Sequence, residues 1–337
     1  MRTVAVSILK FFLHTRTILC WIPNLHYSRM ITHTLPPLSN LIKLVRKQAY
    51  VRADASRLPI VCAGAADMSN LADTAILEDA VSIVNQAQEA GLTVRLLGAL
   101  AVRVQAGAHA DLFYRLDRLG SAGRTFTDID LVAYSKQRSG LHKFLENTLG
   151  YKLDQYAVLM HGRDRMILHH PEGKYSIDVF FDKLRYSHEV HFGSNPNDGR
   201  LSLDPVTISP TDIVLEKIQI HEINEKDIKD LVTLFASCEI SDQEGRSKIS
   251  RKYVGNMLAD DWGFWQDANS NLEKVNHFAQ KYEEDGKLDS ELLKTILERI
   301  NDLKKTIDET PKTKQWKKRE KDGIRKKWWN DVEERSR

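Results

Sequence analysis

The sequence predicts an α+β fold: a small mixed sheet flanked by helices, followed by a helical C-terminal region. Three observations carry this. Between residues 68 and 206, short apolar runs of period two alternate with stretches of helical period. Beyond Asn224 nearly every stretch has the helical period. Glycine and proline stand at the junctions, at Gly91, Gly98, Gly150 and Pro171.

The elements follow in order. Ala75 to Ala90 repeats apolar residues at Ile76, Leu77, Ala80, Val81, Val84 and Ala87, a helix that Gly91 stops. Thr93 to Leu97 reads as a short buried strand, and after Gly98 a helix runs from Ala99 to Val104. Residues 105–123 read as a loop-rich insertion. Thr127 to Tyr134 is a strand and Gly140 to Leu149 a helix. Tyr151 to Val158, Arg165 to His170 and Tyr175 to Phe181 read as strands, with Pro171 to Lys174 turning between the last two. Ser209-Pro210 opens a helix through His221, serine as cap and proline in the first turn. The expected organisation is a basic extension at 1–67, an α/β domain at 68–206, a helical domain at 207–310 and a basic, aromatic segment at 311–337.

Charge is distributed unevenly over the 337 residues. Residues 1–67 hold nine Lys/Arg and two acids, and residues 312–337 hold eleven Lys/Arg and five acids. The stretch between carries a net charge of −10, 29 basic against 39 acidic residues, so a uniformly basic nucleic-acid coat is excluded. Cys20, Cys62 and Cys238 lie far apart and form neither a zinc spacing nor a disulfide framework, which suits a reducing compartment. No run of 18 apolar residues exists, so no conventional spanning helix is expected. Residues 1–67 admit three readings: a disordered or non-native extension before a start at Met68, an Arg-rich and acid-poor transit peptide, or a peripheral membrane-binding arm. The expected location is cytoplasmic, or organellar if the transit reading holds.

The chemistry-bearing pattern is Asp128-Ile129-Asp130-Leu131-Val132. Side chains alternate on a strand, so Asp128 and Asp130 share one face while Ile129 and Leu131 take the other, the two aspartate Cα atoms about 6.7 Å apart. Two carboxylates so placed repel each other and call for a cation, the arrangement that Mg²⁺-assisted phosphoryl chemistry needs. Ser176, Asp178 and Phe180 repeat the alternation, so Asp178 joins the pair if the two strands are neighbours. The competing reading is an edge strand with solvated aspartates. Gly98, between a strand and a helix start, allows backbone N–H groups to approach a phosphate.

This ordered set resembles the DNA-polymerase-β-like nucleotidyltransferase superfamily, and within it the bacterial AbiEii-type enzymes, the toxin half of a toxin–antitoxin pair. The stretches that carry the resemblance are Gly98 to Val102, Arg124 to Asp130, Ile177 to Val179, Leu215 to Ile218 and Lys226 to Leu231. The resemblance implies a nucleotidyltransferase-like mixed sheet and Mg²⁺-dependent nucleotidyl transfer from an NTP, such as ATP, to a hydroxyl acceptor. It implies RNA, typically tRNA, as acceptor, and a cognate antitoxin as partner. Asp128, Asp130 and Asp178 are then the catalytic, metal-binding carboxylates, Asp178 helping to deprotonate the acceptor. Gly98, Ala99, Arg124, Lys217, Asp227 and Asp230 belong to the nucleotide site: Gly98 and the backbone after it hold the triphosphate, Lys217 neutralises phosphate charge, and Asp227 or Asp230 lies at the rim. Two positions depart from the pattern. Ala99 supplies no hydroxyl, and Phe126 stands where relatives often carry threonine. Transfer to a small molecule, as in aminoglycoside-modifying relatives, and a catalytically silent module that binds RNA or a partner are the alternatives.

The remaining candidates read as structural. His188 and His191 lack the helical HExxH arrangement, His169-His170 borders a turn, and Trp262, Phe264 and Trp265 form a packed corner. Lys217 sits on a helix read as amphipathic, where a lone lysine is ordinarily solvated. Residues 312–329, whose lysines are interleaved with Trp316, Trp328 and Trp329, are either a last helix whose tryptophans pack on the body and whose lysines are solvated, or a platform for an acceptor strand, with an exposed indole stacking on a base.

Overall fold

A computed structural model gives the fold of residues 68–118, 126–161, 164–197 and 199–331, with backbone alone described at 68–72 and 161. The expectations for residues 1–67 and for Arg124 lie outside the described residues.

The architecture is mixed α+β. Helix α1 (Met68–Glu89) leads into β1 (Val94–Leu96) and α2 (Gly98–Gln105). The stretch read as loop contains a 3-10 turn (Gly107–His109) and the one-turn α3 (Leu112–Arg115). Then come β2 (Asp128–Ala133), α4 (Arg138–Lys143) with a π-turn over Phe144–Thr148, β3 (Lys152–Leu153), α5 (Gln155–His161), β4 (Arg165–His169) and β5 (Ser176–Phe181). The sheet order is β1-β2-β5-β4-β3. Strand β2 runs parallel to β5, and the other neighbours are antiparallel. Residues 206–208 line the outer edge of β1: Leu96 N donates to Val206 O (2.9 Å) and Ile208 N donates to Leu96 O (2.9 Å). That covers backbone groups an edge strand leaves unpaired.

Alternation decides which way this sheet faces. Ile129, Leu131, Ile177 and Val179 are fully buried on one face. Burial of each stabilises by about 1.5–3 kcal/mol. A shift of β2 by one residue would put both aspartates into that core, so the register is strongly held.

A hairpin, β6 (Lys183–Arg185) and β7 (Glu189–His191), carries the chain away from β5. The helical region consists of α6 (Pro210–Ile218), α7 (Glu225–Ser237), α8 (Arg251–Leu258), α9 (Trp262–Glu284), α10 (Ser290–Glu309) and α11 (Lys314–Glu320). Ser209 caps α6, its hydroxyl accepting from Asp212 N at 3.1 Å, and Asn224 caps α7 by accepting from Asp227 N at 3.0 Å. One apolar core extends from Ile76 to Ile307 through both the α/β and the helical regions. Among the described residues no helix is long and apolar enough to cross a membrane.

Two expectations are corrected. The strand read over Tyr151 to Val158 is two residues long, and helix α5 follows. Asp154 diverts the chain: its Oδ1 accepts from Ala157 N (2.9 Å) and its carbonyl from Val158 N (3.1 Å), which starts a helical turn. The region beyond Asn224 also contains a short parallel pair, β8 (Glu239–Ser241) and β9 (Lys248–Ser250), with Ile249 fully buried. Three-residue strands carry too little periodicity to be read from sequence.

Candidate active site

Parallel pairing places Asp130 directly beside Asp178, and Asp128 beside Ser176. The three carboxylates therefore share one face of two adjacent central strands. Burial and then the negative charges of Asp128, Asp178 and Glu216 push Asp130 well above the ordinary carboxylate range, against a smaller opposing pull from Lys217. Tyr186, just past β6, lies in the same field: burial, then Asp130, Glu216 and Asp178, push its hydroxyl well up.

Gly98 lies against Asp130. Its φ is +66°, and a Cβ there would stand 2.8 Å from Asp130 Oδ2. Two independent reasons therefore require glycine: a left-handed backbone and space for a carboxylate. The Gly98 N–H donates to Glu216 Oε2 at 3.1 Å. The phosphate-directed amide expected at this position is thus occupied by a carboxylate of α6. Burial pushes Glu216 up to about 7, with Lys217 and the Gly98 hydrogen bond pulling the other way. Ala99 is partly buried beside it and adds no polar atom.

Helix α6 is not amphipathic: all nine of its residues are buried. Any charge on such a helix has to be partnered. Lys217 Nζ lies 2.6 Å from Asp227 Oδ1 and 3.1 Å from Asp230 Oδ2. Arg118 completes the group, donating through Nε and Nη2 to the two oxygens of Asp230, the latter at 2.9 Å. Burial works against the Lys217 ammonium, but Asp227, Asp230 and Glu216 outweigh it and hold the lysine charged. Burial likewise works against the Asp230 charge, and Lys217 and Arg118 outweigh that, so its carboxyl lies below the usual range. The solvated reading of Lys217 is corrected: it is buried and bound to Asp227 and Asp230, which are buried with it.

On the opposite flank, Arg165 of β4 reaches to the neighbouring β5, its Nη2 3.1 Å from Asp178 Oδ2. Four site residues were not singled out from sequence: Glu216, Arg118, Arg165 and Tyr186. Glu216 alone left a signal, as the immediate neighbour of Lys217. Arg118 meets Asp230 across 112 residues of chain, and Arg165 meets Asp178 on the neighbouring strand. No local pattern reports either pairing.

Oxygen donors in threes suit a hard divalent cation, and the repulsion that raises Asp130 is what such a cation relieves. Among the described residues no three His, Cys, Asp or Glu side chains are arranged to hold a metal ion. The donor chemistry fits Mg²⁺, while Asp178 is paired with Arg165 instead.

The other candidates pack as structure. His188 is buried, 2.8 Å from Asp267 Oδ2 and stacked on Phe264. His191 pairs with Glu189, and His169 with Asp154. Trp262 and Phe264 are buried at the start of α9. The indoles of the C-terminal segment also turn inward: Trp316 is buried edge-on to Trp265, Trp328 Nε1 donates to Asp267 Oδ1 (3.0 Å), and Trp329 stacks on His221 at 3.7 Å. The exposed-indole platform is corrected accordingly.

No protein-family model matches the chain, and no curated protein matches it.

Proposed function

We propose that this protein is a Mg²⁺-dependent nucleotidyltransferase that moves a nucleotidyl group from an NTP to a hydroxyl acceptor. One observation carries the reading: Asp128, Asp130 and Asp178 share one face of two parallel neighbouring strands, with Asp130 beside Asp178 in register and Gly98 making room for the Asp130 carboxylate. The resemblance to the polymerase-β-like superfamily supports it through the same residues in the same order.

Asp128 and Asp130 would hold the metal, with Asp178 as the third donor. Bound there, Mg²⁺ supplies charge stabilisation to the phosphate oxygens. In the transfer, the acceptor oxygen bonds to the α-phosphorus as the bond to pyrophosphate breaks, and the hydroxyl proton passes to Asp178. Arg165, 3.1 Å away, positions the Asp178 carboxylate for that task. Lys217 and Arg118 act from behind the site, their charges spent on Asp227 and Asp230, and fix α6 against α7, which holds in place the helix that carries Glu216.

The occupied Gly98 amide supports a second reading, a catalytically silent module that binds RNA or a partner such as an antitoxin. Incubation with α-labelled NTPs, Mg²⁺ and total RNA separates the two. The expected result is label in RNA, lost in Asp128→Asn. Label in small molecules instead replaces the acceptor class, and no transfer with any NTP removes the enzyme reading.

A further inference from the structure

Residues 314–331 form a strap on the body. Thr313 N donates to Ala259 O (3.0 Å), Arg319 lies over the Trp262 ring, and Asn330 N donates to Ser187 O (3.0 Å). At Gly263 a Cβ would stand 2.8 Å from Trp328 O, so the strap backbone lies directly on α9. The strap ends on two segments that also border the carboxylates. Ser187 follows Tyr186, whose hydroxyl feels Asp130, Glu216 and Asp178. His221, which carries Trp329, lies just beyond α6, and its N–H donates to Ser187 Oγ at 3.0 Å.

The strap is rich in basic residues and poor in acidic ones. Its aromatic side chains face the body, while Lys317, Lys318, Lys321, Lys326 and Lys327 are exposed. Their visible ion pairs, Lys326 with Asp322 and Lys327 with Asp331, are exposed and i,i+4, which holds a lysine only weakly. Among the described residues, with their excess of negative charge and a carboxylate-lined site, such a strip is where a polyanion is attracted.

We propose that the strap is the landing surface for an RNA acceptor, whose phosphates these exposed lysines hold and whose end is delivered from there to the carboxylates. This rests on the nucleotidyl-transfer reading for the delivery but not for the binding. A lipid surface fits less well: Ile324 is the one large apolar side chain that the described part of the strap exposes, too little for interfacial insertion.

The test uses the full chain and a variant with Lys317, Lys318, Lys321, Lys326 and Lys327 all changed to Ala, with a labelled single-stranded RNA of about 20 nucleotides, enough to span several phosphate-binding lysines, without NTP or metal. Residues 1–67 are the same in both proteins, so the difference isolates the strap. Binding is expected to weaken about tenfold or more, and the salt slope to fall by roughly 0.7 for each phosphate that is no longer neutralised. Arginine at the same five positions should retain binding, and unchanged far-UV circular dichroism and Tm show an intact fold. Equal affinity and equal slope in parent and Ala variant overturn the proposal. So does loss of binding to phosphatidylserine vesicles with RNA binding unchanged. RNA bound through these lysines by a protein that transfers no label keeps the strap and removes the enzyme reading.

Discussion

Two groups of carboxylates lie close together and differ in how their charge is balanced. Around Lys217 and Arg118, two cations meet Asp227 and Asp230, every distance is that of an ion pair, and Asp230 titrates below the ordinary range. On the sheet face, Asp128, Asp130 and Asp178 stand together with Glu216 close by, and Asp130 titrates well above it. Asp227 and Asp230 are buried, whereas the sheet-face carboxylates are partly buried and one of them, Asp178, has a cation in Arg165. Only in the first do neighbouring cations outweigh burial. The first therefore stabilises the fold, and the second stores a repulsion that an incoming cation relieves.

The largest expected effect comes from breaking the balanced group. Lys217→Met leaves two buried carboxylates with Arg118 alone and should cost about 3–5 kcal/mol in urea unfolding. A cost below about 1 kcal/mol, the value of an exposed pair, would show that Asp227 and Asp230 rehydrate, and the contrast between the groups would collapse.

Asp130→Asn tests the opposite case. Removing one of several like charges should leave stability unchanged or higher near neutral pH. Transfer should fall about 100-fold or more, the loss of roughly 2.7 kcal/mol of transition-state stabilisation. Mg²⁺ at about ten times its Kd should stabilise the parent by about 1.4 kcal/mol and leave the Asp130→Asn variant without response. A variant less stable than the parent near neutral pH contradicts the stored repulsion.

The pH profiles should run in opposite directions. Asp130 and Glu216, the latter at about 7, are raised in the folded state, so the fold binds the extra protons. The Glu216 contribution is most favourable at low pH and declines as pH rises from the unfolded carboxylate range through about 7, and the Asp130 contribution changes in the same direction. Asp230 is lowered, so its contribution is present above the unfolded value and is lost as pH falls through the folded one. Glu216→Gln should flatten the decline between about pH 5 and about pH 7 in metal-free urea titrations. An unchanged slope would remove Glu216 from the coupled group.

The smallest effect concerns Gly98. Alanine there meets a left-handed backbone and the Asp130 oxygen, so Gly98→Ala should cost about 1–2 kcal/mol from the backbone alone. The cost should be smaller in an Asp130→Ala background, because the clash is gone. Additivity of the two changes would mean that Asp130 swings clear at no cost.

The sequence alone determined the elements whose cause is local. Alternation in Asp128 to Leu131 and in Ser176 to Val179 put the aspartates on one face and the aliphatic residues on the other, because successive side chains on a strand must point opposite ways. Ser209-Pro210 marked a helix start because the Ser209 hydroxyl reaches an N–H three residues away. Short-range patterns did not reveal that α6 is buried on all sides, that Asp154 turns its strand into a helix, or which partners, Trp265, Asp267 and His221, the C-terminal indoles pack against. Tertiary structure decided which carboxylates have cations: Lys217 reads as solvated until α7 and Arg118 are packed against it. Gly98 reads as a phosphate cradle until Glu216, 118 residues further along the chain, reaches its amide. Such partners are fixed by the burial of whole helices, and the energy of a charge depends on what surrounds it once water has left.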